Sequence, residues 1–398
     1  MHGPAGRARG GAVLLSIILL IGLLPGCGGG GSSSAQQNTT SGVKVRAFVS
    51  NSFSGVLSIV DAQHDTLVQG HNIQVGSQPG VLLETPDKTL TLVFDNGSNS
   101  LVLVSNLQEQ QIHTITLAGT AASIVVSPDS KFAFAAIPGA ISLGQPAGEL
   151  QVVDLVNAKL TSTLNVASVN RLVINHAGTR LLAFSENSDS VTILNVAHIG
   201  QGIPTTVVSG FDRPVFGVFA EDDSIAYIMN CGPECGGSSS SVTALHMDTN
   251  TPGASVSVAG ATVGTLVNGS VLVAGNASGS GTLQSVTTSP LTASSAVPIG
   301  DGFHSIMAMG TNNKLFIGAQ GCSQSRRGCV TVFDTGAGSA VVDTNNGDVT
   351  GIAPIANRNV VYVIEGGELR IFDTTTSQPS NSAFIDIVGK AVDVKEVD

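Results

Sequence analysis

The side chains best suited to chemistry fall in a few short stretches. Cys231 and Cys235 stand in Asn230-Cys-Gly-Pro-Glu-Cys, and Cys322 and Cys329 flank a segment that carries Arg326 and Arg327. Thiols at such spacing either close short disulfides or lend ligands to zinc; a four-cysteine zinc site would need the two segments to meet in space. His304, in Asp301-Gly-Phe-His-Ser, has the chemistry of a metal ligand or a general base. A lone histidine is more often structural or solvated. Asp212-Arg213-Pro214 and Ser77-Gln78-Pro79 occupy comparable loops. The other histidines, including His64, His113, His176 and His198, are scattered without metal-ligand spacing.

Motifs that would name an enzyme are missing. The sequence holds no Cys-x-x-Cys-His for covalent haem, no Gly-x-Ser-x-Gly elbow, no Walker loop and no His-Glu-x-x-His. With no Trp, neither a tryptophan-derived cofactor nor a Trp-stacking sugar platform exists. The 48 glycines fall in turns rather than before helices, where they would cradle phosphate. This reading assigns no catalytic residue, no cofactor and no metal.

The fifth cysteine belongs to a different context. Arg7 and Arg9 precede an apolar run of 13 residues, Ala12 to Leu24, interrupted only by Ser16 and Gly22. A membrane span needs about 20 residues, so this length suits a signal-peptide core. Leu24-Pro25-Gly26-Cys27 resembles a bacterial lipobox. The resemblance implies cleavage before Cys27, leaving 1–26 as signal peptide and Cys27 as the lipidated residue. Each buried CH2 of an acyl chain contributes about 0.8 kcal/mol, so several chains anchor stably. Gly28 after Cys27 resembles lipoproteins sent on to an outer membrane. Residues 27–42, rich in Gly and Ser, read as a flexible tether. Export into an oxidising compartment makes disulfides, Cys231–Cys235 and Cys322–Cys329, the default fate of the remaining thiols.

Composition narrows the partners. Without Arg7 and Arg9, 15 basic residues face 28 acidic ones, and no basic cluster survives. Nucleic acid, which is bound by neutralising phosphates, is therefore not expected as a partner. Charged residues make up 11% and aromatics 4%; Val, Ile, Leu, Thr, Ser and Gly dominate. That mixture favours strands and turns.

The strands repeat. VLSIVD ends at Asp61, and similar short apolar runs end at Asn106, Asp154, Asn195, His246, Thr287, Asp334 and Asp373, at intervals of 39 to 51 residues. A period in the forties with several strands per repeat is the signature of a β-propeller. Residues 121–166 show the unit: an apolar strand, the turn Ser127-Pro128-Asp129-Ser130, a second strand, a Gly/Pro loop, a third strand to Asp154, and a fourth at 160–166. The chain enters on a second strand at Lys44 and ends in the inner-strand pattern Gly389–Val397. Pairing that tail beside the N-terminal strands closes the ring and leaves no open edge. Third strands number eight; because 261–300 is the weakest repeat, seven is the alternative. Recurrent Asp or Asn at the end of the third strand reads as turn chemistry, each side chain accepting a backbone N–H two residues on.

Ala47-Phe48-Val49-Ser50-Asn51, Ile59-Val60-Asp61, Ser127-Pro128-Asp129, Val332-Phe333-Asp334 and Ile371-Phe372-Asp373 together resemble the repeats of the YVTN family of bacterial propellers, related to YncE-like and lactonase-like proteins. The resemblance covers residues 43–398. It implies an all-β propeller of four-stranded blades, and family members often carry Pro-His near the position of His304, which places that residue at the channel mouth. A His, Glu and Arg set matching the lactonase-like relatives does not map onto motif positions here.

The reading that follows is a lipid-anchored, monomeric propeller of the cell envelope, facing the periplasm from the inner or outer membrane. It acts as a binding or scaffolding module for an envelope protein or a small ligand. Contacts are expected on the face formed by the loops between second and third strands and between blades, where His304, Arg326, Arg327, Asp212 and Arg213 lie. The alternatives are a lactonase-like hydrolase, an accessory subunit of a periplasmic oxidoreductase, or a purely structural surface protein.

Overall fold

Runs such as Arg46–Asn51 and Leu90–Asp95 carry β-branched and aromatic residues that fit a pleated surface, and turn formers bound each of them. In the computed structural model they pair as antiparallel strands. The structure describes residues 40–398, apart from 198, 200–201, 323–328, 344–346 and 377–382. Cys27, the tether up to residue 39, Arg326, Arg327 and His198 lie outside the described residues.

The strands form eight sheets, each built on a four-stranded meander, so the count of eight holds and seven is set aside. Blade 2 (79–116), blade 3 (123–165), blade 4 (169–209), blade 5 (214–257), blade 6 (263–299), blade 7 (303–342) and blade 8 (349–385) each run from inner to outer strand in chain order. Blade 1 is composite. Arg46–Asn51, Val56–Asp61 and Thr66–Gln74 are completed by the C-terminal strand Ala391–Glu396, which pairs antiparallel to Arg46–Asn51 and takes the innermost place.

Blade-to-blade packing explains why the strands lack clean alternation. All of Arg46–Asn51 is buried. Phe48 packs with Leu82, Val93 and Val102 of blade 2, while Ala47 and Val49 pack with Tyr362 and Ile364 of blade 8. Both faces are covered, so both are apolar. Outer strands such as Gln110–Thr116 face solvent and are largely polar.

Blade 6 is a complete blade despite its weak repeat. Val267 pairs with Ser270 across Asn268 (φ 48°) and Gly269 (φ 75°), and Ala277 pairs with Ser280 across Ser278 (φ 52°) and Gly279 (φ 83°). These two-residue turns need positive φ at both central positions, which Asn268 and Ser278 adopt ahead of a Gly in each. The first of them stands where blade 3 has the longer Ser-Pro-Asp turn. In blade 3 that turn is held by Ser127 Oγ, which donates to Asp129 at 2.6 Å and accepts from the Phe132 amide at 2.9 Å.

The recurrent third-strand residues act as turn caps in most blades. Asp61 accepts the Gln63 amide at 2.9 Å, Asn195 that of Ala197 at 3.2 Å, and Asp334 those of Gly336 and Ala337, both at 2.9 Å. Asp373 accepts from Thr375 at 2.8 Å, and Asp154 from Asn157, three residues on, at 2.9 Å. Asn106 departs from the pattern. Its strand ends at Ser105, whose hydroxyl takes the capping role toward the Gln108 amide at 3.2 Å. Asn106 is instead a buried strut between Thr91 Oγ1 (2.7 Å) and the Lys88 carbonyl (2.9 Å).

Closure is reinforced at the seam. Arg46 donates through Nε to Asp398 at 2.8 Å, and through Nη1 to Glu109 at 2.9 Å and to the Asn106 carbonyl at 2.7 Å. One guanidinium thus joins the first strand, the C-terminus and blade 2. Removing one partner of a buried pair typically costs about 3–5 kcal/mol. Arg46→Met is therefore expected to lower stability by about 3 kcal/mol, read from urea denaturation, with Arg46→Lys recovering only part. An unchanged midpoint for Arg46→Met would show that strand pairing alone closes the ring.

Candidate functional site

The inner strands surround the channel, and several are interrupted near one end. The register shifts between Val169 and Arg171 in blade 4, between Pro214 and Phe216 in blade 5, and between His304 and Ile306 in blade 7. Each shift leaves one extra residue, Asn170, Val215 and Ser305 in turn, and a β-bulge of this kind re-aims the side chains around it. All three extra residues line one cavity of about 360 Å³ at the channel mouth.

Loops complete the cavity. Ser185, Glu186 and Ser188 come from the end of blade 4, and Arg213 from the loop entering blade 5. Cys235 belongs to the loop that crosses blade 5. Cys231 and Cys235 are disulfide-bonded around a short 3-10 turn, Gly232–Cys235, and Cys322 is bonded to Cys329 in blade 7. The blade 5 loop is cross-tied on both sides. Asp212 accepts the amides of Ser238 at 3.0 Å and Ser239 at 2.7 Å; its hydrogen bond from the Ser238 hydroxyl is the main force holding its carboxyl below the usual range. On the other side Glu234 accepts the Asn276 amide at 2.9 Å, and Asn276 Nδ2 donates to the Gly302 carbonyl at 2.8 Å. Burial pushes the Glu234 carboxyl up despite those bonds. Blades 5, 6 and 7 are thus linked along the rim.

The centre of the site is Arg171, on the inner strand of blade 4. Its Nη2 donates to the Ser305 carbonyl of blade 7 at 2.9 Å, and its Cζ lies 4.9 Å from the centre of the Phe216 ring of blade 5. It faces both the mouth cavity and a deeper channel cavity of about 480 Å³ that Val81, Ile124 and Phe216 also line. Burial draws its pKa below the usual arginine value, with no carboxylate opposing that shift. Among the described residues it forms no ion pair. Asp393, on the inner strand of blade 1, offers the contrast: it is buried but satisfied by the Leu82 amide at 2.9 Å and by Lys395 at 3.1 Å.

The residues singled out from the sequence divide. Arg213 lines the cavity; its ion pair with Asp189 is long, at 3.6 Å, and its Nε is buried without an acceptor. Asp212 ties loop to loop and does not line the cavity. His304 is 1% exposed, and the cavity is lined by its neighbours Phe303 and Ser305 rather than by the imidazole. Its Nε2 bonds the Gly300 carbonyl at 2.9 Å, its Nδ1 has no partner, and burial lowers its pKa to about 4. The ring is therefore neutral near pH 7 and built into the blade, not presented at the mouth. Sequence reasoning missed Arg171. The available signal was a lone charge in Val169-Asn-Arg-Leu-Val-Ile, an inner-strand segment where apolar residues are the rule. Among the described residues, no three His, Cys, Asp or Glu side chains group as a metal-ligand set.

No family model and no curated protein matches the chain. Solved structures match its fold. The dihydro-heme d1 dehydrogenase NirN in complex with DHE superposes with a TM-score of 0.67 at 11% identity, over 88% of this chain and 75% of that one. A functionally unknown protein from Desulfotomaculum acetoxidans DSM 771 gives 0.55 at 18% identity, over 76% of this chain and 98% of its own. Kuenenia stuttgartiensis hydrazine synthase gives 0.52 at 16%, over 82% and 92%. The chain is thus an eight-bladed propeller similar to these in fold.

The histidine makes a checkable contribution to acid sensitivity. An unfolded His binds a proton near pH 6.5, whereas His304 in the fold waits until about pH 4. Stability from this site is complete above pH 6.5 and is lost as pH falls toward 4, by about 3 kcal/mol in all. His304→Gln is expected to flatten urea stability over that window. A profile as steep as the parent's would place the acid sensitivity elsewhere.

Proposed function

We propose that this protein is an extracytoplasmic, lipid-anchored propeller that binds a small ligand at its channel mouth. The carrying observation is the mouth cavity: bulged inner strands and a cross-tied, disulfide-stapled loop line a half-open space of about 360 Å³, within the range of small-molecule sites. Two disulfides suit an oxidising compartment. The anchor rests on the lipobox resemblance at Cys27, with 1–26 as signal peptide and 27–42 as tether. The reading of the repeats as YVTN-like rests on the motifs in the sequence.

Binding is favoured over catalysis because Arg171, Arg213 and Glu186 are the charged groups lining the cavity, and the nearest imidazole is turned away. Contacts with an envelope protein through Arg326 and Arg327 are a second proposed role, supported by their place in the sequence between Cys322 and Cys329.

Two experiments test this. Replacing Cys27 with Ala should move the protein from membrane to soluble fractions and abolish acyl labelling; continued lipid labelling would refute the anchor. Thermal-shift screening of the intact chain against small organic molecules should find a stabilising ligand, by about 3 kcal/mol at a hundredfold excess over Kd. Val215→Trp, which fills the cavity, should remove the shift. An equal shift in that variant would place binding elsewhere.

A further inference from the structure

Arg171 has the character of a binding group left waiting. The chain as a whole is acidic, with 28 Asp and Glu against 17 Lys and Arg, and the buried Arg46 is paired with two carboxylates. Arg171 has one carbonyl and one ring face instead. Five N–H donors and a full charge are thus offset by a single acceptor. Arg171 is half-buried, its further donors open on the two cavities it lines, and arginine does not lose its charge by deprotonating. Packing alone does not require it, since an apolar residue of similar volume would serve as well or better.

The surroundings define what would complete it. Arg213 adds a second cation, with its Nε lacking an acceptor. Glu186 is the one carboxylate lining the cavity, and it is engaged by Asn170 Nδ2. Beside these charges lie Phe184, Pro214, Val215 and Phe303, the last 45% exposed at the lip.

Resting on the reading of this cavity as a ligand site, we infer that its ligand is an organic monoanion, a carboxylate whose oxygens take the free donors of Arg171 while an apolar or aromatic body lies against Phe303 and Val215. A carboxylate matches the planar guanidinium fork, giving charge-assisted hydrogen bonds of the strong class. Glu186 repels a second negative charge, so dianions bind more weakly.

Calorimetry on the intact chain with 2-naphthoate, and with its uncharged isostere 2-naphthamide, tests the inference. The acid should bind about ten- to a hundredfold more tightly than the amide, the difference one charged hydrogen-bond pair makes. Arg171→Gln should erase that preference, and Arg171→Lys should restore part of it. Arg171→Gln without ligand should melt at or above the parent temperature, because it removes an uncompensated charge. Equal binding of acid and amide would overturn the monoanion inference and leave the cavity reading standing. Binding of neither would overturn both. A lower melting temperature for Arg171→Gln with the preference for the acid intact would assign Arg171 to packing and overturn its role in recognition. The acid–amide comparison on the unsubstituted protein needs no variant, so it decides the question even if Arg171→Gln fails to fold.

Discussion

Everything at the channel mouth depends on the closing of the ring by the last strand. Ala391–Glu396 supplies the innermost strand of a blade whose other three strands come from the start of the described chain. Without it, Arg46–Asn51 would face the channel as an open edge, and the Asp393 carboxylate would no longer receive the Leu82 amide of blade 2. An open edge invites pairing with other chains. A closed ring also fixes its circumference. The distance from Arg171 in blade 4 to Ser305 in blade 7 is set by the blades between them, and it allows the 2.9 Å hydrogen bond across the mouth.

That constraint bears directly on the proposed mouth site. Each blade packs its apolar faces against two neighbours, so no blade can turn alone. Bulges then do locally what the rigid ring forbids globally. Asn170, Val215 and Ser305 are surplus residues in their ladders, and they point into the same space. The rim ties through Asp212, Glu234 and Asn276 hold the loop above it. For the ligand proposed above, groups held in place before it arrives would lose little entropy on binding.

Much of the architecture was legible because it repeats. Third-strand ends recur at propeller spacing, the C-terminal tail repeats the inner-strand pattern, and the structure has eight blades closed by that tail. Blade 6 read weakly because Asn268-Gly269 makes a tighter turn than its counterparts. The site was less legible. A β-bulge leaves no mark in periodicity, so nothing in Phe303-His-Ser said that Ser305 would line the mouth and His304 would not. Asn106 looked like one more turn cap because it lies one residue past the true end of its strand. Arg171 was visible as an isolated charge, but its lack of a counter-ion among the described residues is a property of the assembled ring.

The central claim is that a rigid ring presents a preformed site at one end of its channel. Hydrogen exchange on the intact chain, with and without saturating 2-naphthoate, tests it most directly. The account predicts added protection confined to segments around residues 170–171, 185–188, 213–215 and 303–305, with exchange elsewhere in the eight blades unchanged. Protection spread through every blade, or centred on the outer strands, would contradict it.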